Sequence, residues 1–240
     1  VISVVLFDLD VTLFAHRQAV EDGVVAHLRA TGLARDGGEH AAEAARWSAL
    51  EELHYSRYLA GDLDYLGQRR ARARDFLLLY GQTLETDAAA ESWFDDYLHE
   101  YRAAWTLHAD ALPALDALGA YRLGIITNGV PHFQQPKLDV LGIADRFEHV
   151  VTSGEFGAVK PDPSIFLHAC SAFGVEPRQA AYIGDRLHTD AIGAANAGLT
   201  GVWLNRHGST SASDLHDAQQ AGVTVIESLV DLPRCLADVP

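Results

Sequence analysis

The chain has 240 residues, 48% of them apolar and 21% charged, so it holds enough material for a sizeable core and disorder is not the default reading. With 18 basic against 33 acidic side chains its net charge is −15. A surface this acidic repels a phosphate backbone and argues against a nucleic-acid partner, but not against a small phosphorylated substrate whose charge a bound cation offsets.

Taken in chain order, residues 2–7 form a nearly continuous apolar run ending in Asp8, the pattern of a strand buried on both faces, and not of a secretion signal. Residues 16–106 are rich in Ala, Glu, Arg and Leu and read as helix only, with turns at Gly32, Asp36-Gly37-Gly38, Gly61-Asp62 and Gly81. Within them Trp93, Tyr97 and Tyr101 recur at steps of four, with Phe94 and Trp105 nearby on the wheel, a stripe expected to pack helix on helix. Arg69, Arg70, Arg72 and Arg74 form a basic cluster. It is either a second contact for an anionic substrate or, as we prefer, a solvated helix face balancing nearby acids.

Strands and helices alternate from there on. Strands are predicted at 121–126, 149–152, 180–183, 201–204 and 223–226. Asp162-Pro163 caps and opens a helix that ends near Phe173 at Gly174, and a second helix over 189–197 closes on Gly198. The alternation predicts an α/β fold, a parallel sheet with helices on both faces. No apolar run approaches the roughly 20 residues of a membrane helix, so no membrane partner is expected. Two cysteines, Cys170 and Cys235, exclude a disulfide framework and a cysteine-rich zinc site and suit a reducing cytoplasm.

Four segments at strand ends carry candidate chemistry, where open parallel sheets bind ligands. In Asp8-Leu9-Asp10-Val11-Thr12-Leu13-Phe14, two carboxylates separated by one residue can converge, one to attack as a nucleophile and the other to handle a proton. The alternative is a pair of surface carboxylates at a turn. Thr127-Asn128-Gly129 offers a hydroxyl and backbone N–H groups to a phosphate oxygen, and is also ordinary turn chemistry. Lys160, just before the proline-started helix, is either a fixed charge for a phosphoryl group or a solvated surface lysine. Gly184-Asp185, followed by Asp190, supplies two carboxylates that with Asp8 make a hard, oxygen-rich set suited to Mg²⁺. Without a cation such carboxylates would repel one another.

In this order and at these strand ends, the four segments resemble the haloacid dehalogenase-like (HAD) hydrolase superfamily, subfamily I, over nearly the whole chain. The resemblance implies a Rossmann-like core of residues 1–15 and 107–240 with a helical cap inserted at 16–106. It implies that Asp8 is the nucleophile that forms an aspartyl-phosphate and Asp10 the general acid/base, with its backbone carbonyl on the metal. Thr127, Asn128 and Lys160 would bind the phosphate, and Asp8, Asp10, Asp185 and Asp190 would hold Mg²⁺. Val11 departs from the family's usual Gly, Asp or Asn, and Arg186 from its usual small hydroxyl residue. Dehalogenases of the family need no proton donor and usually lack the second aspartate, so Asp10 favours a phosphatase. A 2-haloacid dehalogenase and a non-catalytic HAD-fold binding protein are the alternatives. Residues 134–138 and Trp203-Leu204-Asn205-Arg206 resemble the branch of nucleotide 5′-phosphatases and acylneuraminate 9-phosphatases. The implied substrate is a small sugar or nucleoside phosphate, handled by a cytoplasmic monomer or homodimer.

Overall fold

The first strand is buried at every position because both faces of the sheet are covered. This computed structural model describes residues 1–34, 40–206, 208 and 211–237; the predicted turn at Asp36-Gly37-Gly38 lies outside them. The chain divides into two compact units, Val1–Ala15 with Leu107–Pro240, and His16–Thr106.

The first unit is built on six parallel strands, β1 (Val4–Phe7), β2 (Arg122–Thr127), β3 (His149–Thr152), β4 (Ala180–Gly184), β5 (Thr200–Leu204) and β6 (Thr224–Ile226), in the order β3-β2-β1-β4-β5-β6. Four helices make up the second unit: α1 (His16–Ala30), α2 (His40–Leu59), α3 (Tyr65–Leu78) and α4 (Asp87–Ala103). Those of the sheet unit are α5 (Ala111–Ala117), α6 (Pro131–Val140), α7 (Ser153–Phe156), α8 (Pro163–Phe173), α9 (Gly193–Asn196), α10 (Ala212–Gln220) and α11 (Leu232–Ala237).

Alternate residues of β1 face opposite sides, as the pleat requires. Val4 and Leu6 pack with Ile165, Phe166, Phe173 and Tyr182 in one cluster, and from the other side Phe7 meets Phe147 edge-on at 6.4 Å. The six strands fall where the sequence predicts them, with ends displaced by one or two residues. β1 starts at Val4, and β2 and β4 extend to Thr127 and Gly184. Asp162 caps α8 through its side chain, which accepts the Ser164 N–H, and Gly174 ends it at a left-handed φ of 66°.

The helix predicted over 189–197 is instead a wide π-turn, Leu187–Ile192, followed by the short α9. Such turns mark departures from regular helix that often serve a site. This one begins two residues early and delivers Asp190 to a fully buried position.

In the helical unit the predicted aromatic stripe is a core. Trp93, Tyr97 and Tyr101 are all buried, and Trp47 of α2 sits fully enclosed, edge-on to Phe76, Trp93 and Tyr97. The arginine cluster is mostly paired, as expected of a balanced face: Arg70 with Asp64, Asp87 and Glu91, and Arg74 with Asp87. Arg72 corrects the solvated reading. It is buried, lies 3.7 Å over the Trp47 ring and pairs with Glu51 at 2.8 Å. A planar guanidinium stacks on an aromatic face and keeps its pair, which an exposed ammonium would not gain from.

Candidate active site

The register places the candidate residues on adjacent strand ends. Phe7 aligns with Ile125 of β2 and with Ile183 of β4, so the chain leaves β1 at Asp8 beside the ends of both neighbours. The carboxyl edge of a doubly wound sheet, on its central strand, is where such folds bind ligands.

Asp8 is held by the neighbouring strand and by its own loop: its N–H donates to the Ile183 carbonyl of β4 at 2.8 Å, and the Thr12 hydroxyl donates to its Oδ2 at 3.2 Å. The Arg206 guanidinium donates to the Thr12 carbonyl at 2.8 Å and ties this loop to the end of β5.

Lys160 is buried and donates to Asp8 Oδ1 at 2.7 Å, Asp190 Oδ1 at 2.8 Å and the Tyr182 hydroxyl at 2.6 Å. The surface-lysine alternative is therefore wrong. An ammonium has three N–H donors, and these three acceptors match them. Burial pushes against its charge, but Asp190 and Asp8 outweigh that and hold Lys160 above the ordinary lysine range.

Asp190 is occupied at both oxygens, since its Oδ2 accepts the Arg186 N–H at 3.0 Å. Asp185 follows β4 directly, and the Trp203 indole N–H donates to its backbone carbonyl at 2.9 Å. Carboxylate oxygens of Asp8, Asp185 and Asp190 all lie within 4.8 Å of one another. Burial, with Asp190 and Asp185 adding to it and Lys160 opposing, raises Asp8 to about 7. Three hard carboxylates this close, two of them also bonded to Lys160, fit a small divalent cation, which would relieve their mutual repulsion.

Asp10 is set apart from this cluster. Its side chain pairs with Lys137, Nζ to Oδ1 at 2.6 Å, and accepts from Gln134 Nε2 at 3.0 Å. The side chain, expected to act as general acid/base, is thus tied to α6, which leaves the backbone carbonyl as the Asp10 group expected on a cation. Thr127 is buried, and its hydroxyl accepts from the same Gln134 nitrogen at 2.7 Å. The Asn128 side chain is likewise committed: its amide donates to the Lys160 carbonyl at 3.0 Å and accepts the Lys160 N–H at 2.8 Å. It fixes the lysine's backbone instead of presenting itself to a ligand.

Gln134, Lys137 and Tyr182 are the residues that sequence reasoning missed. Gln134 and Lys137 are polar groups at i and i+3 on a helix whose buried residues are Gln134, Lys137 and Leu138. That spacing puts both on one face. Only the buried face of α6 reveals their meaning.

Residues 2–198 match the family of haloacid dehalogenase-like hydrolases. The chain belongs to that family. This hydrolase is 34% identical over 224 residues to the phosphoserine phosphatase of Thermus thermophilus, a match covering 85% of this chain and 89% of that one. It is 33% identical over 243 residues to the glyceraldehyde 3-phosphate phosphatase of Methanopyrus kandleri, covering 99% and 97%. These relatives set it on the phosphatase branch. In fold it resembles YfnB, a magnesium-bound HAD hydrolase of Bacillus subtilis, with a TM-score of 0.78 at 20% identity over 98% of each chain.

Proposed function

We propose that this hydrolase is a Mg²⁺-dependent phosphatase acting on a small phosphate monoester, of the sugar-phosphate or nucleotide class, through an aspartyl-phosphate on Asp8. The observation that carries the reading is the division between two aspartates two residues apart. Asp8 is enclosed with Lys160, Asp185 and Asp190, whereas Asp10 is held separately by Lys137 and Gln134.

Asp8 attacks phosphorus in line with the leaving oxygen, forming an O–P bond as the ester P–O bond breaks. Asp10, carrying a proton in the substrate complex, gives it to the departing alkoxide and regains one from the water that hydrolyses the acyl-phosphate. Lys160 balances the charge of Asp8 and Asp190 and exchanges one of its acceptors for a phosphoryl oxygen when substrate arrives. Thr127 offers its hydroxyl, and the backbone N–H groups after β1 and β2 complete the cradle, the role left to Asn128 once its side chain is engaged. Asp8, Asp185 and the Asp10 carbonyl would hold the cation, with Asp190 supporting it. When bound, Mg²⁺ supplies positive charge to the transferring phosphoryl group and to the clustered carboxylates.

The relatives are named for phosphoserine and glyceraldehyde 3-phosphate, both short phosphate monoesters. A substrate of that size is the first to test. The helical unit, inserted in the chain after Ala15, is proposed as the family's cap. No helix among the described residues is long and apolar enough to cross a membrane. We place the enzyme in the cytoplasm, as a monomer or homodimer.

The test is phosphate release from a panel of short phosphomonoesters, sugar phosphates and nucleotides, with magnesium and with chelator. Release that requires magnesium supports the reading. Halide release from a short 2-haloacid without metal, and no phosphate release, would replace it with the dehalogenase alternative.

A further inference from the structure

We infer that Gln134 and Lys137, carried on one face of α6, are positioning residues that set the plane and place of the Asp10 carboxylate for proton transfer to the leaving group. This assignment rests on the phosphatase reading above.

Each oxygen of Asp10 has its own donor, Lys137 Nζ at 2.6 Å on Oδ1 and Gln134 Nε2 at 3.0 Å on Oδ2. A carboxylate held at one oxygen still turns about its terminal torsion, which is broad. Held at both oxygens by donors from one helix, it has a fixed plane.

The grip extends to the phosphate side of the site. Gln134 Nε2 also donates to Thr127 Oγ1 at 2.7 Å, so a single amide nitrogen fixes the spacing between Asp10 and Thr127. Room for that amide depends on Gly129, where a Cβ would stand 2.7 Å from the same nitrogen. Lys137 is steadied in turn, its Nζ lying 5.1 Å from the ring centroid of Phe14, which is fully buried at the far end of the Asp8 loop.

Gln134 is buried and the Lys137 side chain is 9% exposed, whereas the Asp10 side chain is 30% exposed. Burying an amide and an ammonium is costly unless they are paired. Here the carboxylate of Asp10, itself part-exposed, is the partner that offsets that cost for both.

A tie that merely joined α6 to the loop would, when cut, slow all substrates alike. A positioning role differs, because general-acid help matters most when the leaving oxygen is basic. The experiment measures kcat/KM for two esters, glycerol phosphate with a poor alkoxide leaving group and dinitrophenyl phosphate with a good one. It compares wild type, Lys137→Met, Gln134→Leu, Lys137→Arg and Asp10→Asn, all with magnesium.

The expected result is a fall on the order of 10²-fold with glycerol phosphate in Lys137→Met, the scale of a reacting group misplaced by about 1 Å. With dinitrophenyl phosphate the change is small. Gln134→Leu and Asp10→Asn show the same leaving-group bias, and Lys137→Arg recovers part of the loss. Equal losses on both esters would overturn the assignment while the phosphatase reading stands. A folded wild type that releases phosphate from neither ester overturns the reading and the assignment together. If Lys137→Met does not fold, Gln134→Leu, which keeps the ion pair, carries the same comparison.

Discussion

Val11 adopts φ 71°, the one positive φ outside glycine among the described residues. A left-handed conformation costs an ordinary L-residue roughly 1–2 kcal/mol, and a β-branched one is a clear outlier there. Asn and Asp tolerate it because their short polar side chains bond locally. Against the relief stands the loss of a half-buried Val side chain, about half of the roughly 1.5 kcal/mol that full burial contributes. Val11→Asn is therefore expected to stabilise the protein by about 1 kcal/mol, or roughly 2–4 °C in Tm at this chain length. Val11→Gly relieves the same strain but gains about 0.4–1 kcal/mol of unfolded-state entropy, which brings it close to wild type. The order expected from thermal and urea unfolding is Asn above Gly, with Gly and Val nearly level. Because the loop already holds the conformation that Gly or Asn would adopt, turnover should change little in either variant. A Val11→Asn protein that melts below wild type would refute the strain argument.

Other consequences are equally open to measurement. Asp110 accepts from Arg206 at 2.7 Å, the Ser228 hydroxyl at 2.8 Å and the Leu229 N–H at 2.9 Å, so Asp110→Ala strands a mostly buried guanidinium. A loss of about 3 kcal/mol is expected in urea unfolding. Burial would raise the Asp110 carboxyl, but its three donors prevail and hold it at about 2 against an ordinary 3.8. Its folded-state value is the lower one, so its stabilisation is complete above the ordinary value and fades as pH falls toward 2. Asp110→Asn should flatten that acid limb, and an unchanged limb would show the shift to be wrong. At Gly184 a Cβ would stand 2.4 Å from Asp190 Cβ, so Gly184→Ala forces Asp190 off Lys160. We expect a loss of about 1–3 kcal/mol together with most turnover, and wild-type behaviour would mean that the β4 end is more yielding than it looks.

The sheet was legible because continuous apolar runs ending in Asp8, Thr127 and Gly184 have few other uses. The capped helix at Asp162–Gly174 was legible because proline, aspartate and glycine act locally. Asp8, Lys160, Asp185 and Asp190 gather as the four segments taken together imply, although Lys160 read by its chain neighbours alone passes equally for a surface lysine. What sequence reasoning missed depends on depth. Lys160 and Arg72 look alike as isolated cations, yet one closes three acceptors at the sheet edge and the other lies over Trp47 inside a helical core. The hold of Gln134 and Lys137 on Asp10 spans more than 120 residues and has no local signature. The π-turn at Leu187–Ile192 was hidden because its composition suits an ordinary helix.

The most direct test of the proposed chemistry is covalent: mix the protein with magnesium and a radiolabelled short phosphomonoester that it turns over, quench in acid, and map the label. The expected result is phosphate on the peptide containing Asp8, absent from Asp8→Asn, which should still fold but release no phosphate. Undiminished phosphate release by Asp8→Asn, or label on a different residue, would contradict the assignment of Asp8 as the nucleophile.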